Sequence, residues 1–182
     1  SPAPGAAEPM SPEQRMRRAI GAAMARSKRE IPHYYVSTTI DVEPALARLA
    51  EHNATLSVAD RVLPAIVLLR AATSALKKVP ELNALCTGET APPIERVDLG
   101  VAIALRKGGL VAPPIFDASK KSLAETMTAL DDLVQRARAG KLTASEIRGG
   151  TITVTSLGDR GVESLYPIVY PPQVAIVGFG KI

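Results

Sequence analysis

Three threonines in the C-terminal third of the chain are the first candidates for chemistry. Thr151, Thr153 and Thr155 alternate with apolar residues, and side chains two residues apart on a β-strand lie on the same face. Thr155 comes last, directly before Ser156-Leu157-Gly158, where the end of a rigid strand could present a hydroxyl that donates a hydrogen bond to an oxyanion. Threonine also favours β-strands for structural reasons, so a purely structural role stays open.

The two histidines and the single cysteine do not have the surroundings of a catalytic base, a nucleophile or a metal ligand. His33 follows Ile31-Pro32 at a predicted junction between a helix and a strand, where local hydrogen bonds are the expected role. His52 lies in a polar stretch and is expected to be exposed. Cys86 is solitary and follows Leu85, which predicts a small buried thiol. Because no Cys or His pair has metal-ligand spacing, we expect no metal site.

The composition predicts one domain with an aliphatic core. The chain has 182 residues, enough for one hydrophobic core, and it has no Trp and only 3% aromatic residues. It therefore lacks a stacking platform for bases, which counts against single-stranded nucleic acid as a partner. The net charge is +4, and a basic segment near the start fits a solvated helix face, although a nucleic acid, an acidic lipid or a phosphate-bearing cofactor stay open as alternatives. Its cations are Arg15, Arg17, Arg18, Arg26, Lys28 and Arg29.

The sequence predicts a cytoplasmic protein without a membrane partner. No apolar run approaches the roughly 18 to 20 residues needed to cross a bilayer, and the start of the chain has no apolar signal core. One cysteine excludes an internal disulfide and fits a reducing compartment.

Capping signals and periodicity predict a mixed α/β domain over residues 11–182, preceded by the end of an Ala/Pro-rich linker, residues 1–10. The first helix has an apolar stripe of Met16, Ile20, Ala23 and Met24, which should pack inwards. Helices are predicted from Ser11 to Ile31-Pro32, over Pro44–Glu51, Leu63–Lys78 and Ser122–Ala139, and from Thr143. Strands are predicted over Tyr34–Ile40, Val97–Ala104, Leu110–Ile115, Thr151–Ser156 and Val174–Gly178, with a turn at residues 106–109.

Eight short blocks resemble the catalytic domain of the dihydrolipoyl acyltransferases of 2-oxo acid dehydrogenase complexes. The first covers Ile20–His33. The others, in order, are Pro80-Glu81-Leu82-Asn83, Leu99-Gly100-Val101-Ala102, Gly109-Leu110-Val111, Lys121-Ser122-Leu123, Gly140-Lys141-Leu142, Gly149-Gly150-Thr151 and Pro171-Pro172-Gln173-Val174-Ala175-Ile176. The resemblance implies a chloramphenicol acetyltransferase-like fold, in which helices flank a mixed β-sheet.

The resemblance also implies a reaction, the transfer of an acyl group between the thiols of dihydrolipoamide and coenzyme A. In the family a Ser or Thr hydroxyl stabilises the tetrahedral intermediate, and that position falls on Thr155. Ser156 and Gly180 match positions that approach coenzyme A. Where the family usually has an acidic residue, this chain has Ala104. The family's general-base histidine belongs to a His-x-x-x-Asp-Gly motif expected beyond Ile182, so the 182 residues alone are expected to be inactive.

The partners implied by the resemblance are other subunits of a large complex. The family forms homotrimers that assemble into cages, carries its lipoyl group on a separate domain, and binds the 2-oxo acid dehydrogenase and dihydrolipoamide dehydrogenase through further domains. The acyl group, whether acetyl, succinyl or branched-chain, stays open. A catalytically empty scaffold or interaction subunit with the same fold is the alternative function.

Overall fold

Three of the five α-helices in the described residues begin where the sequence places a capping residue. The computed structural model describes residues 10–106, 108–157 and 161–182, so most of the predicted linker, Lys107 in the predicted turn and Gly158 after the threonine strand lie outside the described residues. Ser11, Ser122 and Thr143 each close a capping box with the Gln or Glu three residues later. Such a cap contributes typically about 1 kcal/mol. The α-helices of the described residues are α1 (Pro12–Glu30), α2 (Glu43–Ala54), α3 (Pro64–Leu76), α4 (Leu123–Arg138) and α5 (Ala144–Arg148).

The strands of the described residues form a mixed four-stranded sheet and a separate two-stranded ribbon. They are β1 (Leu99–Val101), β2 (Ile103–Ala104), β3 (Leu110–Val111), β4 (Pro114–Ile115), β5 (Ile152–Ser156) and β6 (Ile176–Phe179). The sheet has the order β4-β1-β5-β6, in which β5 is parallel to both neighbours and β4 is antiparallel to β1. The ribbon pairs β2 with β3, so each of two predicted strands is divided in two. The mixed α/β class is confirmed.

The core lies where α3 and α4 pack and where the centre of the sheet is covered. Its largest fully buried side chains include Ile66 of α3, Leu99, Ile115 and Ile152. Each contributes roughly 1.5 to 3 kcal/mol by leaving water. The alternation of threonine with apolar residues predicts a half-buried strand, but Thr151 and the first three residues of β5, 152–154, are all buried, so both faces are covered there. The central strand is therefore rigidly held up to its last two residues.

The prediction of a strand over Tyr34–Ile40 is wrong within the described structure. The segment is irregular, and the side chains of Tyr34, Val36 and Ile40 are 84%, 87% and 67% exposed. A strand requires a neighbour that completes its ladder of backbone hydrogen bonds, and β-propensity alone does not supply one.

The prediction that Cys86 is buried is also wrong. The Cys86 N–H donates to the Pro172 carbonyl at 2.7 Å, while the side chain is exposed and its thiol lies 3.5 Å from the Gly88 carbonyl. Cys86 is held by its backbone at the edge of the domain, and the side chain therefore points away from the core.

Helix α1 packs as its apolar stripe predicts, with one exception. Ile20, Ala23 and Met24 are half-buried and the six cations of the basic segment are exposed, whereas Met16 remains 36% exposed beside Gly109. The fully buried residue of the helix is Ser27. No helix in the described residues is long and apolar enough to cross a bilayer.

Candidate functional site

The candidate site lies at the C-terminal end of β5, where the parallel strands of the sheet finish. Thr155 pairs with Gly178 and Ser156 pairs with Phe179, and Gly180 directly follows that pair. Thr155 is half-buried and Ser156 is exposed. Ligands of open α/β sheets bind outside the carboxyl ends of parallel strands. The sequence predicted three site residues, Thr155, Ser156 and Gly180. The structure brings them together at the C-terminal ends of β5 and β6.

The hydroxyls of the strand threonines differ in their hydrogen bonds. Thr151 donates to the Asn83 side-chain oxygen at 2.6 Å, and Thr153 donates to the Gln173 side-chain oxygen at 2.7 Å. The hydroxyl of Thr155 makes no hydrogen bond with the part of the chain that the structure describes. Buried hydroxyls normally find a partner, so the first two are structural. Thr155 is the one whose donor is left for an external group.

The sequence did not predict the roles of Asn83 and Gln173, the buried partners of these threonines. Asn83 also donates to the carbonyls of Ile94 and Arg96, and the Gln173 amide donates to the Gly150 carbonyl at 3.0 Å. A single polar residue inside the apolar block that contains Gln173 is the signal that could have revealed this role. Together these bonds hold the backbone on either side of β5.

Gly180 lies where the chain has no room for a side chain. A Cβ at this position would lie 2.2 Å from the Glu163 carbonyl oxygen, and the Lys181 N–H donates to the Val162 carbonyl at 3.0 Å. A Cβ at Gly178 would lie 3.0 Å from the Leu165 side chain. The stretch of chain over residues 162–165 thus packs directly on the end of β6.

Neither histidine is placed as a base for Thr155. His33 is half-buried, and its ring contacts the Ile31 carbonyl at 2.9 Å and the Val169 N–H at 3.1 Å, so its predicted structural role is confirmed. His52 is exposed in the last turn of α2, as predicted.

Ala104 lies on β2, in the separate ribbon, and its side chain supplies no polar contact. Among the described residues, no cluster of His, Cys, Asp or Glu could hold a metal ion.

The carboxyl groups with shifted pKa values belong to capping boxes. The Thr143 N–H, which donates to the Glu146 carboxylate at 2.9 Å, lowers the pKa of that carboxyl, and Arg136 adds to the effect while burial opposes it. The Ser122 N–H likewise lowers the pKa of Glu125. Both groups stabilise helices and neither is a candidate acid or base.

Comparisons with known proteins agree with the resemblance. The family model described as 2-oxoacid dehydrogenases acyltransferase (catalytic domain) matches residues 6–182. The chain is 37% identical to the dihydrolipoyllysine-residue acetyltransferase component of the mitochondrial pyruvate dehydrogenase complex of Schizosaccharomyces pombe, over 98% of this chain and 36% of that protein. It is 34% identical to the corresponding component of Rhizobium meliloti, over 97% and 40%. It is also 32% identical to the mouse mitochondrial pyruvate dehydrogenase protein X component, over 93% and 33%.

Solved structures share the fold. The dihydrolipoamide acetyltransferase of Azotobacter vinelandii, whose mechanism was investigated through a serine, a histidine and an asparagine, matches with a TM-score of 0.86 and 27% identity, over 100% of this chain and 78% of that one. A truncated catalytic core from Thermoplasma acidophilum matches with a TM-score of 0.84 and 30% identity, over 96% and 80%. The chain spans about two fifths or less of the three curated relatives described above.

Proposed function

Since the chain belongs to the acyltransferase family of the 2-oxo acid dehydrogenase complexes, we propose that it is a catalytic domain that moves an acyl group between dihydrolipoamide and coenzyme A. The observation that carries this role is the unbonded Thr155 hydroxyl at the end of a buried strand, beside Gly178 of β6 and Gly180. We assign the domain to residues 11–182, since Ser11 caps the first helix, and the linker to residues 1–10.

In this reaction Thr155 donates a hydrogen bond to the oxygen that gains negative charge. The thiolate of one substrate attacks the thioester carbonyl of the other, and the carbonyl oxygen becomes an oxyanion. The intermediate then collapses and the old carbon–sulfur bond breaks. The departing thiolate takes up one proton, which balances the proton that the attacking thiol lost when it became a thiolate. A hydroxyl fixed on a rigid strand stabilises the oxyanion more than the planar thioester, which is how such a donor accelerates the reaction. No residue of this chain is assigned as the base.

Coenzyme A is proposed to bind at the C-terminal ends of β5 and β6, beside Ser156 and Gly180. The match of Ser156 and Gly180 to family positions that approach coenzyme A supports this placement, and the absence of a side chain at Gly180 lets the backbone lie close to the Glu163 carbonyl. The acyl group is proposed to be acetyl, because relatives from both yeast and bacteria are named as components of pyruvate dehydrogenase complexes. The lipoyl group is proposed to arrive on a separate domain.

The assembly is proposed to be a homotrimer that builds a larger cage. The chain matches the structure of the cubic core of a pyruvate dehydrogenase multienzyme complex with a TM-score of 0.86 and 27% identity. The 2-oxo acid dehydrogenase and dihydrolipoamide dehydrogenase components are the proposed protein partners, bound through further domains.

A scaffold without catalysis is the second candidate, because one relative, the mouse protein X component, is named as a component and not as a transferase. The test is an acyl-transfer assay on the full-length protein with dihydrolipoamide and acetyl, succinyl and branched-chain acyl-coenzyme A donors. Turnover with acetyl-coenzyme A as the preferred donor supports the proposal. An assembled cage that transfers none of the three groups would establish the scaffold instead.

A further inference from the structure

The backbone of Val169 is held at both its polar groups by residues far away in sequence. The Ser27 hydroxyl donates to the Val169 carbonyl at 2.6 Å, and the Val169 N–H donates to His33 Nε2 at 3.1 Å. These contacts span 142 and 136 residues. Ser27 is 0% exposed, so the bond is shielded from competing water. We call Ser27, His33 and Val169 the Val169 clamp.

The direction of these bonds determines which tautomer His33 must adopt. A backbone N–H only donates, so Nε2 has to present its lone pair to Val169. Nδ1 then carries the hydrogen and donates to the Ile31 carbonyl at 2.9 Å. The two ring nitrogens therefore have separate tasks, since Nδ1 makes a local contact and Nε2 makes the contact across the domain.

The clamp holds a stretch of chain that leads to the candidate coenzyme A site. Residues 161–170, the clamped segment, contact the end of β6 through the Val162 and Glu163 carbonyls and the Leu165 side chain. The Tyr166 ring also packs edge-on against Tyr35, with centroids 5.3 Å apart. One end of the clamped segment therefore lies against Gly180, and the other end is attached to α1 and to its exit at His33.

We propose that Ser27 and His33 are positioning residues that hold the clamped segment against Gly180 and so determine the affinity for coenzyme A. This inference rests on the proposed function, because it takes Gly180 as part of the coenzyme A site. Thr155 depends much less on the clamp, since β5 is paired on both sides and buried up to Val154. Loss of the clamp therefore raises the KM for acetyl-coenzyme A and leaves kcat nearly unchanged.

Two substitutions at His33 separate its two contacts. In His33→Gln the side-chain oxygen occupies a position close to that of Nε2 and can still accept from Val169. In His33→Asn the amide matches Nδ1 and can reach only Ile31. In the full-length protein, His33→Asn is expected to raise the KM for acetyl-coenzyme A by about three- to tenfold, as the loss of one hydrogen bond predicts, while His33→Gln stays within about twofold of the parent. A local role at Ile31 predicts the opposite order and would overturn the inference.

Ser27→Ala tests the other half of the clamp without changing the histidine. It is expected to raise the same KM by about three- to tenfold, with kcat within about twofold. The matched controls are Ser74→Ala, at an exposed position of α3, and His52→Asn, at an exposed position of α2, and neither should change KM. A fall in kcat at unchanged KM in Ser27→Ala and His33→Asn, or no change in either, would refute the positioning role.

Hydrogen exchange of the Val169 amide provides a measurement that does not depend on activity. Exchange should accelerate in His33→Asn and remain slow in His33→Gln, while amides of β1 and β5 keep their protection and so show that the variants are folded. If the parent transfers no acyl group, the proposed function fails, and Val169 exchange still decides whether the clamp exists. If the parent is active and Val169 exchanges equally in both variants, only the inference fails.

Discussion

Replacing Thr155 by Val should remove catalysis while leaving the domain folded. Valine keeps the branched shape of threonine and lacks the donor. The Thr155 hydroxyl is bonded to no part of the described chain and the residue is only half-buried, so its loss leaves no internal partner unsatisfied. We therefore expect the free energy of unfolding to change by less than about 1 kcal/mol.

The expected loss of rate follows from the role as an oxyanion donor. Removal of one such donor costs roughly 3 to 4 kcal/mol in the transition state, or about 100- to 1,000-fold in kcat. The KM for acetyl-coenzyme A should change little, because the bond strengthens only when charge develops on the oxygen. Thr155→Ser retains the donor and should keep most of the activity.

The control is Thr153→Val, two residues earlier on the same face of β5. It leaves the buried Gln173 oxygen without its donor, so it should cost about 1 to 3 kcal/mol of stability, with a smaller effect on kcat than Thr155→Val. Kinetics of acetyl transfer from acetyl-coenzyme A to dihydrolipoamide, measured in the full-length enzyme beside urea unfolding, would compare the two. Parent-like kcat in a folded Thr155→Val variant would refute the reasoning and leave Thr155 as a strand residue.

Three further predictions concern the structure around the site. Asn83→Ala removes the three hydrogen bonds of a buried side chain and should lower the free energy of unfolding by about 3 to 5 kcal/mol in urea titration; a loss below about 1 kcal/mol would show that water replaces the side chain. Gly180→Ala brings a Cβ against the Glu163 carbonyl and should raise the KM for acetyl-coenzyme A, so an unchanged KM would exclude this edge as the binding surface. The lowered pKa of Glu146 contributes stability above the ordinary glutamate pKa of 4.5, and this stability is lost as the pH falls through the lower folded value. Glu146→Gln should therefore flatten the acid limb of a plot of stability against pH, and an unchanged limb would contradict this sign.

The sequence by itself determined where the three helices with capping boxes, α1, α4 and α5, begin. The capping boxes at Ser11, Ser122 and Thr143 depend on contacts three residues apart, so their signals are visible in a short window of sequence and all three form in the structure. The family was equally readable, because eight separate blocks occur in the family's order. The alternation of Thr151, Thr153 and Thr155 also correctly predicted a strand, which covers Ile152–Ser156 in the structure.

Only the tertiary structure decided which of those hydroxyls is left for a ligand. Asn83 lies 68 residues from Thr151 and Gln173 lies 20 residues from Thr153, and no local pattern shows that these side chains meet. The same reason explains the errors at Tyr34–Ile40 and Cys86. A strand and a buried thiol both need partners from elsewhere in the fold, and local propensity carries no information about whether those partners arrive. The clamp on Val169 was invisible for this reason too, since its bonds join residues more than a hundred positions apart.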